Sequence, residues 1–270
     1  MPEEKKPVDT TAGEAYERHI VPGMFTYWAD YGVNWLAPKP GEHALDVACG
    51  TGIGARYVAK RVLPGGKVAG LDLDAGVVEV ARRVAQSEGL QIEWRSASAL
   101  EMPFPDGAFD LACCFHGIQF FPDRVKGFAE IRRVLKPSGR LCATMWGPIE
   151  TNKGHHAMVQ ALESQKVDAS AAKKACSFAD AAEIRDAAAR GGFRNVEVRT
   201  EDGVTDYASF ESFIEGMTTG SPSTRKAIEL LPANGGRDKF IQDVRAALAP
   251  YIVGGRLKYP MRTHIVLARP

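Results

Sequence analysis

Residues 44–55, Ala-Leu-Asp-Val-Ala-Cys-Gly-Thr-Gly-Ile-Gly-Ala, run from an apolar strand into a turn with glycine at Gly50, Gly52 and Gly54 and then into a helix. Such a turn brings bare backbone to a helix N-terminus, where N–H groups and the helix dipole favour a ligand. The same grammar repeats downstream. Residues 67–71 read as a second strand that ends at Asp72. Asp74 is placed to cap a helix over residues 75–87, with Val77, Val78, Val80, Ala81 and Val84 on its apolar side. Residues 91–95 read as a third strand, and 109–115 as a fourth whose unbroken apolar run suits burial on both faces. A helix over 123–135, stopped by Lys136-Pro-Ser-Gly139, leads to a fifth strand at 140–146. This alternation predicts an α/β fold, a doubly wound, mostly parallel sheet with helices on both faces. Two later strands, 195–200 and 263–269, bring the expected sheet to seven, with helical insertions near 150–190 and 208–252.

An aromatic-rich helical segment over residues 13–37 precedes the first strand, and Pro22-Gly23 is expected to break it in two. The polar start, residues 1–12, reads as a disordered tail. The chain then divides into one domain over 13–270: a helical lid at 13–37, a ligand-binding half at 40–146 and a second half at 147–270. A formal net charge of +1 and scattered lysines and arginines give no field for nucleic acid or anionic membrane. No apolar run approaches the roughly 18 residues that span a bilayer. The five cysteines form no C-x-x-C pair, which fits core residues in a reducing, cytoplasmic setting.

The glycines alone leave the ligand open, since Gly50, Gly52 and Ala55 also satisfy the loose dinucleotide pattern G-x-G-x-x-G/A. Asp72, twenty residues past Gly52, suits the ribose hydroxyls of either a dinucleotide or S-adenosylmethionine. Asp46 sits poorly beside a pyrophosphate but well beside an ammonium group. Its other reading is to tie down the glycine turn by bonding backbone amides.

The wider wording narrows the choice. The segments LDVACGTG (45–52), GLDLD (70–74), SALEMPFPDGAFD (98–110) and RVLKPSG (133–139) follow one another in order. In these four motifs the chain resembles the class I S-adenosylmethionine-dependent methyltransferases, in the small-molecule branch that includes the ubiquinone and menaquinone methyltransferases. The likeness is strong over residues 40–146 and weak at both ends. It implies a Rossmann-like methyltransferase fold and S-adenosylmethionine as cofactor, with S-adenosylhomocysteine as product. It places Asp46, Ala48, Gly50, Thr51 and Gly52 at the methionine portion, Asp72 on the ribose, and Leu73, Ser98 and Ala99 at the adenine. Phe115 would face the cofactor near its sulfonium, and Tyr16 would close over it from the N-terminal lid. Ala48 replaces a family glycine, and Ser98 an aspartate that accepts from the adenine amino group.

Of the six histidines, His116 follows the fourth strand at its carboxyl end, where open α/β sheets place ligands, and is the first candidate base. His19 is the second, if its helix is a lid. His43 and His264 read as structural. Adjacent His155 and His156 point in different directions on a helix, so no metal is expected. Trp28 and Trp146 are expected to wall a substrate pocket. The expected activity is methyl transfer to a small apolar or aromatic acceptor, first as O-methylation of a hydroxylated metabolite, with C-, S- and N-methylation open. The alternatives are a cofactor-binding protein with a non-methylating role, regulatory or pericyclase- or decarboxylase-like, and a nicotinamide oxidoreductase; the latter lacks its Tyr-x-x-x-Lys. Phe115-His-Gly-Ile118 stands where nucleic-acid amino-methyltransferases carry Asn/Asp-Pro-Pro-Tyr/Phe, which argues against a nucleic-acid substrate. Membrane insertion is not expected, and a homodimer is left open.

Overall fold

A computed structural model describes residues 8–270; the expectation for residues 1–7 lies outside them. The strands are β1 (His43–Val47), β2 (Lys67–Asp72), β3 (Glu93–Ser96), β4 (Phe109–Phe115), β5 (Leu135–Trp146), β6 (Arg194–Tyr207), β7 (Ile252–Val253) and β8 (Arg256–Arg269). They form one sheet in the order β3-β2-β1-β4-β5-β8-β6, with β7 a short appendage on β8. β1 to β5 are mutually parallel, and β8 lies antiparallel between β5 and β6. The sheet thus has the seven expected strands on its path plus one hairpin stub. β6 and β8 are longer than their apolar cores foretold, because they pair with each other from Arg194 to Arg269 and on to Tyr207 and Leu257.

The sheet is covered on both faces, which explains the unbroken apolar runs. Leu111, Cys113 and Cys142 belong to one core, while Ala112, Cys114, Leu141 and Ala143 belong to the other. Neighbours along one strand therefore serve opposite layers. The helices of the parallel half are α1 (Thr11–Ala15), α2 (Thr26–Leu36), α3 (Ile53–Val62), α4 (Ala75–Ser87) and α5 (Arg124–Val134). The later ones are α6 (Lys153–Ser164), α7 (Ser170–Lys173), α8 (Ala181–Arg190), α9 (Phe210–Glu215), α10 (Pro222–Ile228) and α11 (Gly236–Leu248). Asp74 caps α4 as its position predicts, accepting from Gly76 N–H at 2.7 Å and Val77 N–H at 3.3 Å. Asp123 does the same for α5 at Lys126 N–H.

The expected break at Pro22-Gly23 does not occur. Residues Tyr16–Phe25 wind as a π-helix that joins α1 to α2 without interruption. The wider turn absorbs a proline that lacks an N–H donor. Gly23 serves close packing instead: a Cβ there would lie 2.5 Å from the Tyr207 ring. The helical segment ends at Leu36, with Ala37 in the left-handed region at φ 47°. Arg140 fastens that end by donating to the carbonyls of Leu36 and Ala37 and to Glu42.

Strand order reverses between β1 and β4, whose connections leave on opposite sides of the sheet. At such a switch point the carboxyl ends of neighbouring strands open a crevice. The glycine turn leaves β1 there and His116 leaves β4. The helical segment Thr11–Leu36 lies over this edge, with Trp28 fully buried and seated on Gly203 of β6. Gly203→Ala puts a Cβ 2.5 Å from the Trp28 ring. Overpacking of this kind costs about 1–3 kcal/mol, so the variant is expected to unfold at a lower urea midpoint with an unchanged slope. An unchanged midpoint refutes the close seating of Trp28.

Candidate functional site

The glycine turn is held by its own sequence. Ala48, Gly50 and Gly52 all take left-handed backbone, at φ 53°, 53° and 84°. Ala48 bears a Cβ in that region, a strain of about 1–2 kcal/mol that a glycine avoids. Gly52 is required twice over, because a Cβ there would also collide with the Trp94 indole of β3. The same indole fills the space that Gly70 leaves open on β2. Trp94 is a part of the site that sequence reasoning missed.

Of the two readings of Asp46, the structure shows the loop-tying one. Its Oδ2 accepts from Ala55 N–H at 2.7 Å, in the first turn of α3, and Cys113 Sγ donates to Oδ1 at 3.4 Å. The side chain is 2% exposed, and burial pushes its carboxyl up to about 7. Asp72 stands at the crevice itself. Gly50 N–H donates to its Oδ2 at 2.9 Å and Asp74 N–H to its Oδ1 at 3.0 Å. Each oxygen retains a lone pair for a ligand. Burial raises its carboxyl pKa above the usual range.

A cavity of about 1070 Å³ opens from this point, with Tyr16, Asp72, Leu73 and Asp74 at one end and His116, Trp146 and His155 among its other walls. Ile20, Met24, Phe25 and Met217 make the lining between them largely apolar. Tyr16 lies over the turn, its ring 3.7 Å from where a Gly50 Cβ would stand, and stacks on Phe25 at 5.4 Å. Burial, then the Asp72 carboxylate, raises the Tyr16 phenol well above its ordinary pKa. The neighbouring Glu17 is a clasp. It accepts from Thr51 Oγ1 at 2.5 Å and from Arg56 Nη2 at 2.8 Å, so the N-terminal helix grips the glycine turn directly. Thr51 therefore spends its hydroxyl on the N-terminal helix.

His116 follows β4 in a left-handed conformation at φ 56°. Its N–H donates to the carbonyl of Thr144 at 2.9 Å. The imidazole stacks on Trp146 at 3.4 Å and is 4% exposed. Neither ring nitrogen has a hydrogen-bond partner. Burial lowers its pKa well below the ordinary value, so the ring is neutral at pH 7.

Five expected site residues lie elsewhere. Phe115 does not line the cavity; its ring wedges between Gly32 of α2 and Gly54 of α3. Trp28 is a buried layer behind the wall, 6.4 Å from Trp146 and 6.3 Å from His116, rather than part of it. His19 faces Ser212, with Nδ1 and Oγ 3.0 Å apart, and is outside the cavity. Ser98 accepts from Leu100 N–H at 3.1 Å and, with the buried Ala99, is also outside the lining. Their loop is nonetheless tied to the end of β2, where Ala97 N–H donates to the Asp72 carbonyl. Leu73 is 76% exposed at the lip beside Asp72. His264 is structural, satisfied by Thr200 and the Ala179 carbonyl.

Sequence reasoning set aside His155, which the structure buries in the cavity wall. The signal was available: His155, Met158, Val159 and Leu162 share the buried face of α6 at helical spacing.

Comparison with known proteins agrees with this geometry. Residues 45–143 match the family described as "Methyltransferase domain". The 2-phytyl-1,4-naphtoquinone methyltransferase of Nostoc sp. is 37% identical over 120 residues, which is 44% of this chain and 52% of that protein. The demethylmenaquinone methyltransferase of Thermus thermophilus is 36% identical over 140 residues, 52% of this chain and 62% of that one. The chain thus spans about half the length of the curated relatives it matches. The crystal structure of the Bacillus subtilis YcgJ protein superposes with a TM-score of 0.60 at 17% identity, covering 90% of this chain and 97% of that one, a likeness of fold. Residues 45–143 thus carry the match to that methyltransferase family, and over this stretch the sequence is similar to quinone methyltransferases.

Two outcomes are expected. Glu17→Gln removes a charged acceptor from Thr51 and from the buried Arg56, a loss of about 1.5–3 kcal/mol. Limited proteolysis within residues 11–36 is expected to quicken; unchanged cleavage overturns the clasp. For Asp46 the folded pKa of about 7 lies above the unfolded value near 4. The native state therefore holds the extra proton between these values, and its advantage is lost as pH rises through that window. The stability of wild type relative to Asp46→Asn is expected to fall from about pH 4 to about pH 7. A flat difference refutes the raised carboxyl.

Proposed function

We propose that the protein transfers a methyl group from S-adenosylmethionine to a small, uncharged, largely apolar or aromatic acceptor, by O-methylation of a hydroxyl. The observation that carries this reading is the single cavity that runs from the Asp72 carboxylate to the His116 imidazole between apolar walls.

The residues present fit the cofactor. The left-handed glycine turn leaves no Cβ at Gly50, so a ligand can approach its backbone under Tyr16. Asp72 has lone pairs free for two ribose hydroxyls, and Leu73 offers an exposed apolar face for a flat base. Ser98 and Ala99 flank the same lip through the Ala97–Asp72 bond. Bound there, the cofactor supplies an electrophilic methyl on a sulfonium, and methyl transfer then asks the protein mainly for alignment and dryness. Tyr16 and Phe25 cover the crevice and exclude water. An aromatic face beside a cation is worth about 0.5–2 kcal/mol.

His116 is the group placed to handle a proton. Burial keeps it neutral, and its two ring nitrogens have no competing partner. A neutral imidazole can take the acceptor's hydroxyl proton as the oxygen becomes methylated. Trp146, stacked on it, fixes the ring plane. A second reading, methylation of a ring carbon, is favoured by the names of the naphthoquinone and menaquinone relatives. The unbridged cysteines fit a reducing compartment, the cytoplasm.

The test is calorimetric titration with S-adenosylmethionine, S-adenosylhomocysteine and NAD, followed by a turnover screen of phenols and quinols. Asp72→Ala is expected to weaken S-adenosylmethionine binding by about 1.5–3 kcal/mol. His116→Asn is expected to leave that binding intact and lower S-adenosylhomocysteine formation by about 10²–10⁴. Binding of NAD alone, or full turnover by His116→Asn, overturns the reading.

A further inference from the structure

His155 stands in the cavity wall with no role in the reading so far. It is 6% exposed, and its Nδ1 is buried without a hydrogen-bond partner. A buried polar group left unpaired is costly to the fold. Here three such nitrogens, two on His116 and one on His155, surround a single aromatic side chain. Trp146 stacks on His116 at 3.4 Å and lies 6.1 Å from His155.

Neither imidazole is loosely held. His155 occupies the first turn of α6, and the residue that starts this helix is a fully buried brace. Asn152 Nδ2 donates to the carbonyls of Gly147 and Pro148 at 2.9 and 3.0 Å, and its Oδ1 accepts from Arg262 N–H of β8 at 3.2 Å. Gly154 has no room for a side chain, since a Cβ there would collide with the Tyr259 phenol. The turn that carries His155 is thereby fixed against both the end of β5 and β8. On the other side, Thr144 holds the backbone of His116 through its carbonyl and Oγ1. The polypeptide spends several buried hydrogen bonds to position two rings, three of whose four nitrogens it leaves unanswered. Both rings stand in the wall of one cavity, which fits a ligand site with a few polar groups on an apolar lining.

Burial also holds both rings uncharged at neutral pH, His155 down to about 4. A neutral imidazole offers one donor and one acceptor and carries no charge to pair with an anion. Around the two rings the walls are Ile20, Met24, Phe25 and Met217, which favour an apolar body.

We propose that His155 is an acceptor-binding, specificity-determining residue, and that with His116 it brackets an uncharged, ring-shaped acceptor through two separate hydroxyl or carbonyl oxygens. This inference rests on the proposed function for the identity of the acceptor site but not for the cofactor. His116 would hold the oxygen that reacts. His155 would hold a second oxygen that does not react, and so set which position of the ring is presented.

The experiment compares 2,3-dihydroxynaphthalene, 2-naphthol and 2-naphthoate by calorimetry, with the full chain both free and loaded with S-adenosylhomocysteine. The diol is expected to bind at least tenfold more tightly than the mono-ol, and the carboxylate not to bind. His155→Phe, which keeps ring volume, is expected to bring diol and mono-ol to equal affinity while leaving S-adenosylhomocysteine binding within twofold. In the wild type, the ring ¹⁵N resonance of His155 Nδ1 is expected to shift on addition of the diol and not of the mono-ol. This arm needs no variant to fold. An unmoved His155 resonance, an unchanged affinity ratio in His155→Phe, or no binding of the diol overturns the proposal. Failure of S-adenosylhomocysteine to bind while the diol series behaves as expected overturns the cofactor reading alone.

Discussion

The hydrogen bond from Ala55 N–H to the Asp46 carboxylate sets the angle at which α3 leaves β1. Everything at the crevice is measured from that joint. It bends the chain through three left-handed residues, and the bend leaves Gly50 N–H free to meet Asp72 on the neighbouring strand. Asp72 in turn orders Asp74, which starts α4. A single buried carboxylate thus begins a relay of backbone contacts across β1 and β2. Its burial has an electrostatic consequence too, since the low-dielectric surroundings that raise its pKa also strengthen the hydrogen bonds it accepts.

The helical segment that precedes the sheet is joined to this relay at several charged points, Glu14 to Arg83, Glu17 to Arg56 and Asp30 to Arg61, and at several apolar ones. Glu17 reaches both Thr51 in the turn and Arg56 in α3, while Arg56 also meets Glu88 at the end of α4. Tyr16, beside it in sequence, covers Gly50. The apolar anchor is Trp28, buried against β6 rather than against the cavity. The segment's far end is held by shape at Trp28 and by polar contacts as well, since Arg140 donates to the Leu36 and Ala37 carbonyls and Arg61 meets Asp30.

Much of the parallel half was legible because its signals are local. A strand, a glycine turn, an aspartate cap and an apolar helical face each fit within a dozen residues, and residues 44–55 and 70–87 show all four. What was illegible depends on partners far apart in the chain. Gly23 looks like a helix breaker until Tyr207 is brought beside it, and Gly52 looks like a ligand glycine until Trp94 is seen beneath it. Glu17 carries no pattern of its own, since its partners are 34 and 39 residues away. Phe115 and His116 stand together at the right strand end, but Phe115 is taken up between α2 and α3 while the left-handed residue after it, His116, reaches the cavity. His155 is legible only in its helical spacing with Met158, Val159 and Leu162, since the adjacent pair His155-His156 by itself raises only the question of a metal. The residues assigned through family resemblance fared unevenly: Asp72 and Tyr16 stand at the crevice, and Phe115 does not.

The two long antiparallel strands have a consequence for how such a protein can change. β6 and β8 pair along their full length, and the helices of the second half hang from the loops at their ends and from the link after β5. The parallel half, with its glycine turn and Asp72, shares only one wall of the cavity with them. Changes in the helices between residues 153–176 and 210–248 can therefore remodel the inner wall while β6, β8 and the joint at Asp46 stay in place. The architecture separates a socket from an exchangeable mould, and the second can be recast while the first stays as it is.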